Sequence, residues 1–150
     1  MSTTRIEYDD LDLIEGDYGY EYVVDGKPFT GIAYILNPNG QLYSETEFVD
    51  GYPKADRGWY PSGQLEKEKL YRTIYGSTHE WFENGRIRQE ITREHGIVTS
   101  QRIWDEMGNL VHEYNIGEHD PNFSSLSRSR ERYSRWLAHK DEQDSEHTNK

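Results

Sequence analysis

A pattern ten residues long recurs four times in this chain, and it leaves few folds open. Aligned on Gly40, Gly63, Gly85 and Gly108, the copies lie 23, 22 and 23 residues apart. Four positions before each glycine stand Leu36, Trp59, Trp81 and Trp104, and two positions after it come Leu42, Leu65, Ile87 and Leu110. Five positions after it every copy carries a glutamate: Glu45, Glu68, Glu90 and Glu113. So even a period marks a repeat architecture, in which one supersecondary unit buries surface by stacking on the next.

The unit reads as a β-hairpin. In Asn37-Pro38-Asn39-Gly40 and Tyr60-Pro61-Ser62-Gly63, proline takes the second turn position and glycine the fourth. That is the preference of a type I turn followed by a glycine at positive φ, the bulged hairpin loop. In this register Leu36 faces Leu42, Trp59 faces Leu65, Trp81 faces Ile87 and Trp104 faces Leu110, whereas a two-residue loop would set the tryptophans against polar positions. The apolar pairs are expected to bury one face, so that emptying Trp81 to alanine would cost about 3–5 kcal/mol. Counting parity along the strands puts the glutamate row on the opposite face.

The fold expected is mainly β, an elongated, twisted antiparallel meander of stacked hairpins over residues 1–117, with a carboxyl-terminal helix over 118–140. A leading hairpin over 18–36 turns at Asp25-Gly26, and further strands fall near 41–49, 56–60, 64–72, 78–82, 86–94, 99–105 and 109–116. After Gly117 the period changes: Phe123, Leu126, Arg130, Tyr133 and Leu137 recur at helical spacing and suggest a helix laid over the last hairpin as a cap. Residues 141–150 contain nothing apolar and are expected to be disordered.

Charge narrows the partners. The net charge is −11, yet 123–140 holds Arg128, Arg130, Arg132, Arg135 and Lys140 against Glu131 alone. The acidity therefore lies in the body, which repels phosphate and anionic membranes and attracts basic proteins. No nucleic-acid or membrane partner is expected, and a monomer is favoured over an obligate oligomer. There is no cysteine, and Met1 is followed by polar and acidic residues without an apolar core. A cytoplasmic location is the expectation.

No catalytic motif is found: nucleophile elbow, phosphate loop and dinucleotide fingerprint are missing, and His79, His95, His112, His119, His139 and His147 lack ligand spacing. No catalytic residue, metal or cofactor is assigned, and the chain is not expected to be an enzyme. The glutamates of successive repeats would stand roughly 9–10 Å apart, too far to share a proton. Their row is either structural, accepting bonds from the next hairpin, or part of a binding surface. The surface best suited to a basic partner is the opening segment, where Asp9, Asp10, Asp12, Glu15, Asp17 and Glu21 interleave with Tyr18, Tyr20 and Tyr22. Tyrosine anchors and charge steering act together there.

The stretches Trp81-Phe82-Glu83-Asn84-Gly85-Arg86-Ile87-Arg88-Gln89-Glu90 and Tyr60-Pro61-Ser62-Gly63-Gln64-Leu65-Glu66-Lys67-Glu68 resemble the MORN-type repeat of bacterial YwqK-like antitoxins. The opening Asp25-Gly26-Lys27-Pro28-Phe29-Thr30-Gly31 is similar to the lead-in of those proteins. The likeness covers about 18–117, with Arg93, Asp105 and Met107 departing from the pattern. It implies stacked hairpins and an immunity protein that binds and neutralises a toxin domain. Given the acidic body, the toxin is expected to be basic, of nuclease or deaminase type. The alternative is a non-enzymatic repeat scaffold for protein–protein contact.

Overall fold

Each repeat closes on the turn its glycine requires. In the computed structural model, which describes residues 3–17 and 19–147 (side chains through Asp141), Gly40, Gly63, Gly85 and Gly108 have φ of 83°, 86°, 83° and 90°. In the first loop Gly40 N–H donates to Asn37 O at 2.8 Å and Asn37 N–H to Gln41 O at 2.7 Å, and the other three loops repeat this pair of bonds. Leu36 faces Leu42, Trp59 faces Leu65, Ile87 faces Trp81 and Leu110 faces Trp104, each beside a one-residue register shift. These are the bulged loops and the facing pairs that the turn chemistry specifies.

In chain order the strands are β1 (Arg5–Glu7), β2 (Asp12–Gly16), β3 (Gly19–Val24), β4 (Lys27–Pro28), β5 (Gly31–Leu36), β6 (Leu42–Val49), β7 (Tyr52–Trp59), β8 (Leu65–Tyr71), β9 (Tyr75–Trp81), β10 (Ile87–Glu94), β11 (Ile97–Trp104) and β12 (Leu110–Asn115). A helix, α1 (Phe123–His147), follows. Strands β5 to β12 form an antiparallel meander, and β1 pairs parallel to β5 to complete a nine-stranded sheet open at both edges. The return strands begin a few residues earlier than expected. Asp50-Gly51 and His95-Gly96 make two-residue loops with φ of 50° and 80°, and 51° and 79°, so pairing resumes at once.

The leading hairpin differs from expectation. Asp25-Gly26 does turn the chain, but β3 pairs with β4 only as far as Pro28, which has no N–H to extend the ladder. Along its other edge, from Gly19 to Val23, β3 pairs with β2, making a separate three-stranded sheet in the order β2-β3-β4. Residues 31–36 instead join the main sheet. Asp12, Glu15 and Gly16 in Asp12-Leu13-Ile14-Glu15-Gly16 hid this strand, because Asp, Gly and to a lesser degree Glu are depleted in strands when sequence alone is read.

This small sheet is packed against one end of the meander, and the core lies there. Phe29, Ala33 and Phe48 are buried, with Ile6, Tyr8, Leu11, Tyr22 and Val24 packed around them. The Phe48 ring meets Tyr22 at 4.8 Å between centroids and Phe29 at 5.9 Å. Backbone bonds pin the two sheets together: Tyr22 N–H donates to Gly51 O, Gly51 N–H to Phe29 O and Phe29 N–H to Tyr22 O, at 2.8–2.9 Å. Polar groups beneath are paired. Tyr8 donates to Tyr22 Oη at 3.1 Å and Tyr71 to Asp56, and burial followed by these bonds pushes both phenols well above their ordinary pKa.

The repeat pairs, by contrast, are not deeply buried. Trp59, Leu65, Trp81, Ile87 and Trp104 are half-buried, while Leu36 and Leu110 are exposed. A single sheet has no second layer along its length to cover them. The expectation for Trp81→Ala falls accordingly, to about 1–2 kcal/mol, because the ring is only partly covered. Urea unfolding of that variant measures it, and a loss near 4 kcal/mol would mean a covered site.

Helix α1 continues to His147, past the end expected near Lys140 and through residues expected to be disordered; 148–150 lie outside the described residues. Its anchors sit at the β10–β11 turn: Leu126 is fully buried, Arg130 binds Glu94 through two bonds of 2.7 and 2.8 Å, and Tyr133 meets His95 edge-on. The side chains of Leu110, Val111, His112 and Glu113 on β12 remain exposed, so the last hairpin's outer edge is not sheathed. The Arg130 bonds, outweighing burial, hold the Glu94 carboxyl below its ordinary value of 4.5. A depressed native pKa contributes stability that is present above the unfolded value and lost as pH falls through the native one. Helix anchoring should therefore weaken on acidification below about pH 4.5, and Glu94→Gln should flatten that dependence in a melting series.

Candidate interaction surface

The amino-terminal sheet sorts the opening residues by their work. Tyr22 packs into the core against Phe48, and Glu21 accepts a bond from Tyr52 Oη at 2.6 Å, so these two residues build the lobe. Asp9 and Asp10 lie in a single helical turn, Tyr8–Asp10, with Asp12 and Glu15 on β2 and Asp17 in the following turn; all five are exposed. Tyr20 is 68% exposed and stands opposite Glu15. Tyr18 lies outside the described residues.

Two residues of this surface escape a reading based on charge. Leu13 and Ile14 are 54% and 41% exposed on β2. Because β2 is the outer strand of its sheet, its free backbone edge is exposed along with them. The result is an open strand edge with Leu13 on one face and Ile14 on the other, Tyr20 of the adjoining β3 on the face of Leu13, and carboxylates around them. Interfaces are built this way, from an apolar or aromatic centre and a charged rim. The available cue was the run Leu11, Leu13, Ile14 among acids, which has no helical period to bury it.

The glutamate row lies elsewhere, and on a different face from the one parity suggested. Across the main sheet the register aligns Tyr34, Glu45, Arg57, Glu68, His79, Glu90, Arg102 and Glu113, so anionic positions alternate with cationic or aromatic ones. Arg57 binds Glu68 at 2.8 Å and Glu45 at 3.6 Å, Arg5 reaches Glu45 at 3.2 Å, and Arg102 binds Glu113 at 2.9 Å. Glu90 stands between His79 and Arg102 in the register. The bonds to Glu68 and the nearby acids raise the Arg57 pKa despite its burial. The bulge in each hairpin consumes one residue and so flips parity, which brings the glutamates to the same face as the tryptophans. His79 accordingly stacks on Trp81, with ring centroids 6.0 Å apart.

Among the described residues no three His, Asp or Glu side chains converge as a metal would require, and no helix is long and apolar enough to cross a membrane. Fold and surface together define an open β-hairpin repeat protein that presents extended, solvent-facing sheet surfaces. No protein-family model matches the chain. It is 41% identical over 110 residues to the protein of Bacillus subtilis (strain 168) named Immunity protein YwqK, a match that covers 71% of each chain. The chain belongs to the YwqK immunity-protein family.

Proposed function

We propose that this protein is an immunity protein which binds a cognate basic toxin domain and occludes its active site, acting in the cytoplasm. The observation that carries the proposal is the open β2 edge, with Leu13 and Ile14, and Tyr20 on the adjoining β3, exposed among Asp9, Asp10, Asp12, Glu15 and Asp17, in a chain of this family. A toxin that cleaves or deaminates nucleic acid must present cations toward phosphate, and an acidic surface competes for the same region. Opposite charges speed the encounter, while the apolar centre and the free strand edge hold the complex. As an inhibitor by contact the chain needs no catalytic group and no cofactor.

Co-expression with the toxin candidates encoded beside this gene tests the proposal. Wild type should rescue growth and co-purify with one of them. The double variant Asp12→Lys/Glu15→Lys should bind about a hundredfold more weakly, the effect of setting two charges against a like-charged partner. If wild type rescues no candidate, the immunity reading fails; if it rescues and the double variant rescues equally, the toxin seat is not at β2.

A further inference from the structure

A chain with a net charge of −11 carries one local exception on its main sheet. Successive residues of a strand point to opposite faces. The face opposite the glutamate row bears, from β6 to β10, Lys67, Lys69 and Arg93 against Asp56 and Glu80. Lys67 is paired with Glu80 at 3.1 Å, and Asp56 accepts the Tyr71 hydroxyl. Lys69 and Arg93 are half-buried, and neither has a carboxylate at ion-pair distance among the described residues. Their neighbours are neutral: the Lys69 ammonium lies 4.6 Å from the centre of the Tyr71 ring, and Arg93 Nη1 donates to Thr78 Oγ1 at 3.1 Å. A cation drawn partly out of water without a counter-charge loses hydration that such neighbours do not restore.

The register brings these two cations to one place. Lys69 stands opposite Thr78, while Arg93 stands opposite Gly76, which in turn faces Tyr71. Strand β9 therefore separates the cations with only a glycine and the buried Thr78 on this face. Above it lies a recess of about 330 Å³ whose lining includes Lys69, Tyr71, Arg72, Gly76, Arg93 and His95, and no carboxylate. Glu94, next to Arg93, points to the other face and is held by Arg130. We propose that this recess binds a small phosphate monoester, with the phosphate seated between Lys69 and Arg93. Two uncompensated cations match a doubly charged anion, and a monoester carries about −1.5 to −2 at pH 7; a carboxylate or a phosphodiester carries a single charge. Phosphate oxygens also meet an ammonium and a guanidinium fork from different sides. The recess is larger than a phosphate, which leaves room for an organic group. The acidity of the body acts from a distance and is screened beyond about 8 Å at physiological salt, whereas these two cations act in contact. No residue of β2 or β3 lines the recess, so the site is separate from the surface proposed for the toxin.

Calorimetric titration of the full chain with phenyl phosphate tests this, with benzoate and dimethyl phosphate as singly charged comparisons. Wild type should bind phenyl phosphate saturably, at least about tenfold more tightly than either comparison, and inorganic phosphate should compete for the site. Lys69→Met keeps the aliphatic stem over Tyr71, and Arg93→Gln keeps an amide donor for Thr78. Each should melt like wild type and weaken phenyl phosphate at least about tenfold, the loss of one charge-assisted contact. Lys27→Met removes an exposed lysine of β4 outside the recess and should bind as wild type does. Should Arg93→Gln melt lower than wild type, Lys69→Met decides the matter by itself. The proposal is overturned by a wild type that shows no saturable binding, by benzoate binding as tightly as phenyl phosphate, or by full affinity in Lys69→Met. No toxin enters the measurement, so its outcome is separate from that of the rescue experiment.

Discussion

Replacing Phe48 with alanine should cost about 3–5 kcal/mol, the range for emptying a buried aromatic site, and leave the amino-terminal sheet unable to hold its place. Phe48 is 1% exposed, and its ring is the shared neighbour of Tyr8, Tyr22 and Phe29, at 6.4, 4.8 and 5.9 Å. The site cannot collapse easily, because Gly51 and Tyr22 fix the backbone on two sides. Urea unfolding should show a lower midpoint, and if the β2 edge seats the proposed partner, its binding should weaken as well although Phe48 is buried. A shift below about 1 kcal/mol would place the core elsewhere.

The second large effect is expected at Gly31, where β1 docks on β5. Ile32 N–H donates to Thr4 O at 2.9 Å there, and an added Cβ would lie 2.5 Å from that oxygen and 2.7 Å from the Phe29 ring. Neither neighbour can yield: one is backbone already hydrogen-bonded and the other is core. Its φ of 155° adds strain for any side chain. Gly31→Ala should therefore cost about 2–4 kcal/mol, overpacking and strain combined. Amides of β1 should also lose protection in hydrogen exchange. Full protection of Ile6 and Glu7 in that variant would refute the account.

What the sequence made legible is local. The glycine spacing and the proline in the turns determine loop type, and loop type determines that Trp81 faces Ile87, because a hairpin's register follows from its own residues. What escaped depends on distant partners. The parallel pairing of β1 joins residues 27 apart, such as Arg5 with Ile32, and the small sheet is held in place by contacts from Tyr22 to Gly51 and Phe48. The face of the glutamate row was misjudged because a bulge shifts parity, a step that counting along one strand omits. At the candidate site the acids and Tyr20 were legible from composition. The edge position of Leu13 and Ile14, and the internal duties of Glu21 and Tyr22, follow from the second sheet.

The neighbour-to-neighbour order of the meander has a consequence for how the molecule opens. Each strand from β6 to β11 pairs only with the strands before and after it in the chain, so this body should behave as a chain of coupled units whose stabilities add. The end at β1 to β6 is tied down by the second sheet and the phenylalanine core, whereas β12 has one neighbour and exposed side chains. Amide exchange should then grade along the chain, fastest in β12 and slowest around Phe48. Thermal fluctuations would peel hairpins from the carboxyl-terminal side while the acidic edge at β2 stays formed, so the surface for the partner would be the last part of the molecule to come apart.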